Sequence, residues 1–417
     1  MQQIKRLTST GFWHVFGSSA INRMIGMMTS VVLVRVLTKT DFAQYVYAQN
    51  IFEYFMLLSG FGMVSAVLQV CSEQHGDMNR QSEFFRYGTR FGLQFNGFLS
   101  VVLLLFSLVV PLPVAGSAPI LSVMSFLLVF LFLSEMQKIH FRVTLQNRRF
   151  AYLNTIDSIL IFSCSVIGVL LWRTFGLVIG RYLAAMACIL IAVLFFRGPA
   201  RLNPKVNLSA SDRRSLFGIA GLSMVNNSLS TMLYLVEITL IGIYVADANM
   251  VATYRVASTI PIALNFIPLA FMTYGYAYFA KNNKDKRWVR IHFAKAAGGL
   301  ALLCGAITVV LVVLAPWIVP IIFGAQYADS VLSFRILMIA FFFTSVLRIL
   351  SGNILVTQRR LKFNLFMAVF GGVLHIGLLL FLINGYGEVG AAIAHLITML
   401  LTGLISTGYL LFCLRGN

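Results

Sequence analysis

The run RILMIAFFFTSVLRILSGN, residues 335–353, is almost wholly apolar yet carries arginine at both Arg335 and Arg348. A stretch of this length and character reads as a helix crossing a membrane, because about 20 residues rising 1.5 Å each span the hydrocarbon. The whole chain supports that reading. Of its 417 residues 59% are hydrophobic and 11% charged, where a soluble domain has roughly 45–50% and 25%. The apolar runs are continuous and too long for the alternating strands of an outer-membrane barrel, so an all-α integral membrane protein is expected. Spans are predicted roughly at 11–37, 42–70, 88–110, 118–145, 152–172, 176–197, 214–244, 250–279, 291–315, 328–357, 361–383 and 388–413. The basic N-terminus followed by apolar residues could open a signal peptide, but the apolar stretch runs on past Arg23 to Leu37 and reads as a retained first span.

Basic residues tend to collect on the cytoplasmic side, which tests this count independently. With the N-terminus inside, one side receives Lys5 and Arg6, Arg80 to Arg90, Arg142 to Arg149, Arg197 to Arg214, the run from Lys281 to Lys295, Arg359 to Lys362, and Arg415. The other side receives Lys39 and Arg173. Both termini are therefore expected in the cytoplasm. The net charge of +19 then faces anionic lipid, and KNNKDKRWVR (281–290) reads as an interfacial anchor. Nucleic acid is not expected as a partner. Five cysteines without CxxC spacing read as isolated thiols, with neither disulfides nor a metal site.

The sequence also repeats. GSSAIN (17–22) and GLSMVN (221–226) match at an offset of 204, while LQNRRF (145–150) with VTQRRL (356–361), and FGLVIG (175–180) with YGEVGA (386–391), match at 211. Such a repeat predicts two pseudo-symmetric, parallel six-helix lobes with a central cavity. The expected division is an N-terminal lobe at 1–200, a cytoplasmic linker at 201–213 with Ser209 or Ser211 as the cap of the next helix, and a C-terminal lobe at 214–417. At offset 211, Arg348 falls opposite Gln137, beside Lys138, and Asn22 matches Asn226 within the first pair.

Several segments resemble the polysaccharide (O-antigen and capsule, Wzx-type) flippases of the multidrug/oligosaccharidyl-lipid/polysaccharide exporter superfamily. They are RVLTKTDFAQYVYAQ (35–49), FGAQYADSVLSFRIL (323–337), QRRLKFN (358–364) and GYGEVGAAIAHLIT (385–398). The resemblance implies a V-shaped cavity between lobes and a polyprenyl-pyrophosphate-linked oligosaccharide carried from the inner to the outer leaflet by alternating access. Polysaccharide polymerase machinery is a conceivable partner, the chain itself is expected to act as a monomer, and no cofactor is implied. A cation-coupled multidrug exporter of the related multidrug and toxic compound extrusion family shares the architecture and is the principal alternative. A lipid II flippase is expected with fourteen spans. A membrane glycosyltransferase or polymerase is disfavoured, since the non-cytoplasmic loops are short; GxxxxGK[ST], HExxH and GxSxG are missing as well. No enzyme activity is expected.

Charges within the spans are the candidate site. A central Arg or Lys costs roughly 2.5–3.5 kcal/mol to insert, so such residues face a hydrated chamber or one another. Arg35 lies at a span end and reaches water. Arg181, Arg255 and Arg335 lie somewhat deeper and could still reach the interface, and Lys138 can pair with Glu135 one turn away. Arg23 and Arg348 are deepest, with no acid within helical reach. They either pair with Glu237 or Asp157 on another helix or attract an anion, for which a pyrophosphate suits the guanidinium fork. Arg23, Arg348, Lys138, Arg255, Arg335, Asn22 and Asn226 are the substrate-binding candidates, the asparagines also being able to clamp helices together. Glu237, Asp157 and Glu53 are candidates for ion coupling, with His375 and His395 as possible relays. Pro261 and Pro268 mark where a helix can bend.

Overall fold

A computed structural model describes residues 12–74, 77–196, 208–245 and 247–415. Among these the chain is helical throughout, with no strand. The first unit contains α1 (Phe12–Val36), α2 (Lys39–Leu57), α3 (Met63–Glu73), α4 (Met78–Val109), α5 (Ser117–Met124), α6 (Leu127–Val143) and α7 (Asn147–Leu194). Then follow α8 (Ala210–Tyr244), α9 (Asn249–Leu264), α10 (Phe266–Lys281), α11 (Lys286–Phe323), α12 (Val331–Phe343), α13 (Leu350–Thr357) and α14 (Leu361–Cys413). Among the described residues seven helical stretches are long and apolar enough to cross a membrane, or eight when α5 and α6, bent by 44°, count as one span. The compact units are Met1–Leu235 and Val236–Asn417, so the division falls inside α8. Of the expected linker, residues 201–207 lie outside the described residues.

Local chemistry explains where helices begin. The hydroxyl of Thr38 accepts the backbone N–H of Asp41, the Asp77 carboxylate accepts those of Asn79 and Arg80, and the Asp285 carboxylate accepts that of Trp288. Each satisfies amides that a helix start leaves without partners. At the start of α8, Ser209 Oγ accepts the N–H of Asp212 at 3.1 Å. The break between α9 and α10 at Asn265 falls between Pro261 and Pro268; Pro268 has no N–H to offer the Leu264 carbonyl, so the ladder lapses there. In the first unit Met63, Val67, Phe84, Phe132 and Met136 pack with Leu216 and Ala220 of α8. All five cysteines are free thiols.

The repeat is visible in the backbone, in a register that differs from the sequence match. α6 ends in a Schellman turn: Leu145 takes φ 56°, Leu145 N–H bonds the Arg142 carbonyl and Gln146 N–H that of Phe141. α13 ends identically, with Arg359 at φ 58°, Arg359 N–H on Val356 and Arg360 N–H on Leu355. The following helices, α7 and α14, each break once, at Arg173 (φ 48°, ψ −129°) and Gly387 (φ 55°, ψ −132°). Both fold into hairpins whose arms touch. A Cβ on Gly176 would lie 1.9 Å from the Gly168 carbonyl oxygen, and one on Gly390 would lie 2.2 Å from that of Leu382. Residues 145 and 359, 173 and 387, and 176 and 390 are each separated by 214 positions. The offset of 211 expected around these turns is thereby corrected, because the arginine pairs that carry the sequence match occupy different places relative to the turn. Arg348 corresponds to Ser134, and not to Gln137.

Candidate functional site

The first unit buries a carboxylate–ammonium cluster. Lys138 of α6 has its ammonium 2.9 Å from Asp157 of α7 and in contact with Glu135 one turn before it. Lys138 is 6% exposed and Asp157 12% at the side chain, whereas Glu135 is 48% exposed. A buried Lys is tolerable only when paired in this way, so both candidates serve each other. Beside them Ser134 donates to Cys188 Sγ at 3.4 Å.

A second cluster joins α2 to α7. Arg181 donates to Gln49 and, at 3.2 Å, to the Tyr45 hydroxyl, and its guanidinium lies 5.8 Å from the centre of the Phe52 ring. Gln49 in turn donates to Glu53 at 2.5 Å. Glu53 is thus linked to Arg181 through an amide. Arg23 stands exposed on α1. Next to it, Asn22 Oδ1 is buried without a hydrogen-bond partner among the described residues. Asn226 lies in α8 with its side chain outside the described residues.

In the second unit Arg335 Nε donates to the Val312 carbonyl at 3.0 Å, and Arg255 is exposed on α9. Arg348 lies in a π-helical turn, Thr344–Ile349, between α12 and α13. Such a turn inserts a residue and re-aims the side chains after it. Its guanidinium donates to Thr402 Oγ1 at 2.5 Å and would lie 3.5 Å from a Cβ on Gly371. In the repeat register, Arg348 and Thr402 stand where Ser134 and Cys188 stand in the first unit, and Gly371 stands where Asp157 does. The positions of the first unit's buried ion pair, Lys138 and Asp157, are held in the second by Gly352 and Gly371, and the cation Arg348 stands one turn before the first of them.

The most deeply buried acid among the described residues of the second unit is Glu237, 3% exposed. Its Oε1 lies 2.6 Å from His395 Nδ1 and 2.9 Å from His375 Nε2, and its Oε2 accepts from the Tyr254 hydroxyl at 2.7 Å. His375 and His395 come from the two arms of the α14 hairpin. The spans suggested Glu237, His375 and His395 separately; their convergence has no sequence spacing to announce it, and Tyr254 gave no signal at all. The repeat offers one retrospective clue, since His395 stands 214 residues after Arg181, the polar centre of the first unit.

These features define an all-helical, multi-pass membrane protein with an internal repeat and polar groups inside its spans. Solved transporters share the fold. A lipid II flippase, MurJ, in an inward closed conformation matches with a TM-score of 0.73 and 16% identity over 96% of this chain and 87% of that one. An inward-facing multidrug resistance MATE family transporter of the MOP superfamily gives 0.77 and 12% over 95% and 94%. A MOP superfamily transporter from Pyrococcus furiosus, described as having a binding pocket of reverse polarity, gives 0.58 and 12% over 95% and 96%. No curated protein sequence matches. Residues 32–332 match the polysaccharide biosynthesis protein family, and the chain belongs to it.

Proposed function

We propose that the protein flips a polyprenyl-pyrophosphate-linked oligosaccharide, an O-antigen or capsule repeat unit, from the inner to the outer leaflet of the bacterial cytoplasmic membrane. Membership of a polysaccharide biosynthesis family supports a glycan cargo, and the transporter fold supports movement rather than synthesis. The observation that carries the reading is the match of residues 32–332 to a polysaccharide biosynthesis family; Arg348, set in a π-helical turn with its guanidinium on Thr402, is the proposed phosphate contact. A guanidinium suits such a cargo, because phosphate oxygens match its fork. Arg23, exposed on α1, is the second proposed contact, with Arg255, Arg335, Asn22 and Asn226 in supporting positions. Lys138 and Asp157 are proposed to hold α6 against α7 instead of meeting the cargo.

Coupling to a cation gradient is assigned to the Glu237 cluster in preference to Glu53, whose carboxylate is tied to Gln49. The alternative, a cation-coupled multidrug exporter, shares the fold but favours acids facing its often cationic cargo, where α1 offers Arg23.

The test uses proteoliposomes holding a labelled lipid-linked oligosaccharide, with and without imposed proton or sodium gradients. Loss of one charge-assisted hydrogen bond of ~1.5–3 kcal/mol predicts that R348A and R23A each slow flipping by about tenfold or more. R348K should retain an intermediate rate, since it keeps the charge and loses the fork. Equal rates for R348K and R348A would remove phosphate recognition from Arg348, and export of cationic drugs without glycan flipping would support the alternative.

A further inference from the structure

We propose that Glu237, His375 and His395 form a binding site for one transition-metal dication of the zinc class. The three ligand atoms lie within 4.8 Å of one another and all three residues are buried. Proximity alone would fit an ordinary ion pair. The hydrogen-bond network around His375 argues for a bound ion.

His375 is fully buried. Its Nδ1 lies 3.1 Å from Thr398 Oγ1, and that hydroxyl gives its single hydrogen to the Ala394 carbonyl at 2.8 Å. Thr398 must therefore accept, and Nδ1 carries the N–H. In the neutral ring, Nε2 then holds a lone pair. This nitrogen lies 2.9 Å from Glu237 Oε1 but off the line of a hydrogen bond, and it has no hydrogen-bond partner among the described residues. A buried lone pair beside a carboxylate oxygen is unfavourable unless a cation lies between them.

The donor set indicates which cation. Two imidazole nitrogens and one carboxylate oxygen suit zinc and its neighbours, whereas sodium and magnesium favour oxygen cages. The outer contacts fit as well. A metal-bound histidine donates its other N–H to a fixed acceptor, as His375 does to Thr398, and a ligating carboxylate is itself hydrogen-bonded, as Glu237 is by Tyr254. Zinc–ligand bonds of about 2.0–2.1 Å place neighbouring tetrahedral ligands ~3.3 Å apart, so the ion must widen the 2.9 Å gap from Oε1 to His375 Nε2 and replace the 2.6 Å hydrogen bond between Oε1 and His395 Nδ1. The bound ion would fasten α8 to both arms of α14. A resident ion here would take the cluster out of gradient coupling; the assignment is independent of the cargo, and its failure would leave the flipping of a lipid-linked glycan untouched and the cluster assigned to coupling.

The experiment titrates purified, chelator-treated full-length protein in detergent with Co2+, whose visible absorption reports coordination, and then displaces it with Zn2+. One saturable equivalent is expected, with nitrogen/oxygen coordination and no thiolate charge-transfer band, and Zn2+ should raise the melting temperature. H375A and E237Q should abolish the band. T398V, which removes the acceptor from Nδ1 while keeping the side chain's shape, should weaken binding by about 10–100-fold and retain the metal-free melting profile. T398V serves as the test if the ligand variants fail to fold. Absence of a cobalt band, a band that persists in H375A, unchanged affinity in T398V, or protein that responds to protons alone would each overturn the assignment.

Discussion

Lys138 shows how a basic residue inside a span is accommodated. Lys138 has two carboxylates within reach, and removing it leaves Asp157 buried beside Glu135 with no cation between them. Breaking a buried pair costs about 3–5 kcal/mol, so K138A should lower thermal stability strongly. D157N should be milder, because Glu135 still neutralises the ammonium. Thermal unfolding of both variants in one detergent checks the order, and a milder K138A would mean that the cluster is not held by charge. At this scale the sequence was partly legible. The Lys138–Glu135 pair follows from a three-residue spacing on one helix, but the Asp157 contact joins two helices and no spacing reports it.

At the scale of elements the two hairpins make a matched pair. α7 and α14 reverse with nearly the same backbone angles, but one break carries Arg173 and the other Gly387. That conformation suits glycine and strains a residue with a side chain, by about 1–3 kcal/mol. Arg173 has little to offset the strain: its contact to Asp41 is 3.3 Å long and the side chain 76% exposed, a setting where ion pairs contribute little. R173G is therefore expected to stabilise the protein and G387A to destabilise it, by comparable amounts; differential scanning fluorimetry of both settles the sign. The gaps between the predicted spans, 172–176 and 383–388, enclose both reversals. The sequence missed the register and the π-helical turn at Arg348, because one extra residue in a helix leaves no mark in an apolar run.

For the whole molecule, α8 matters because the division between the units falls within it. Its start is fastened to α4 by Asp212, which accepts both a hydrogen bond from Ser209 at 2.6 Å and an ion pair from Arg80 at 3.0 Å. The Ser209 hydroxyl and then the Arg80 guanidinium hold the Asp212 carboxyl below the usual aspartate range. A carboxyl depressed on folding stabilises fully above its unfolded pKa, and this is lost as pH falls through the folded one. D212N should remove that acid-side loss, lowering the melting temperature slightly at neutral pH and flattening its decline below about pH 4. Parallel melting curves for the two proteins across that range would show that Asp212 carries no pH-linked stability. The contact was invisible beforehand, since Arg80 and Asp212 looked like unrelated loop charges.

The sequence by itself determined that this chain is a membrane-embedded, all-helical repeat protein, because hydrocarbon forces backbone polar groups to be satisfied within each segment and so writes the helices directly into composition. It also determined that cations outnumber acids inside the spans. Only the tertiary structure decided which charges neutralise each other, that Glu237 meets two histidines, and that Arg348 reaches Thr402 from a π-helical turn. Those outcomes depend on which faces of different helices meet, and a helix in an apolar sequence carries little periodic signal to orient it.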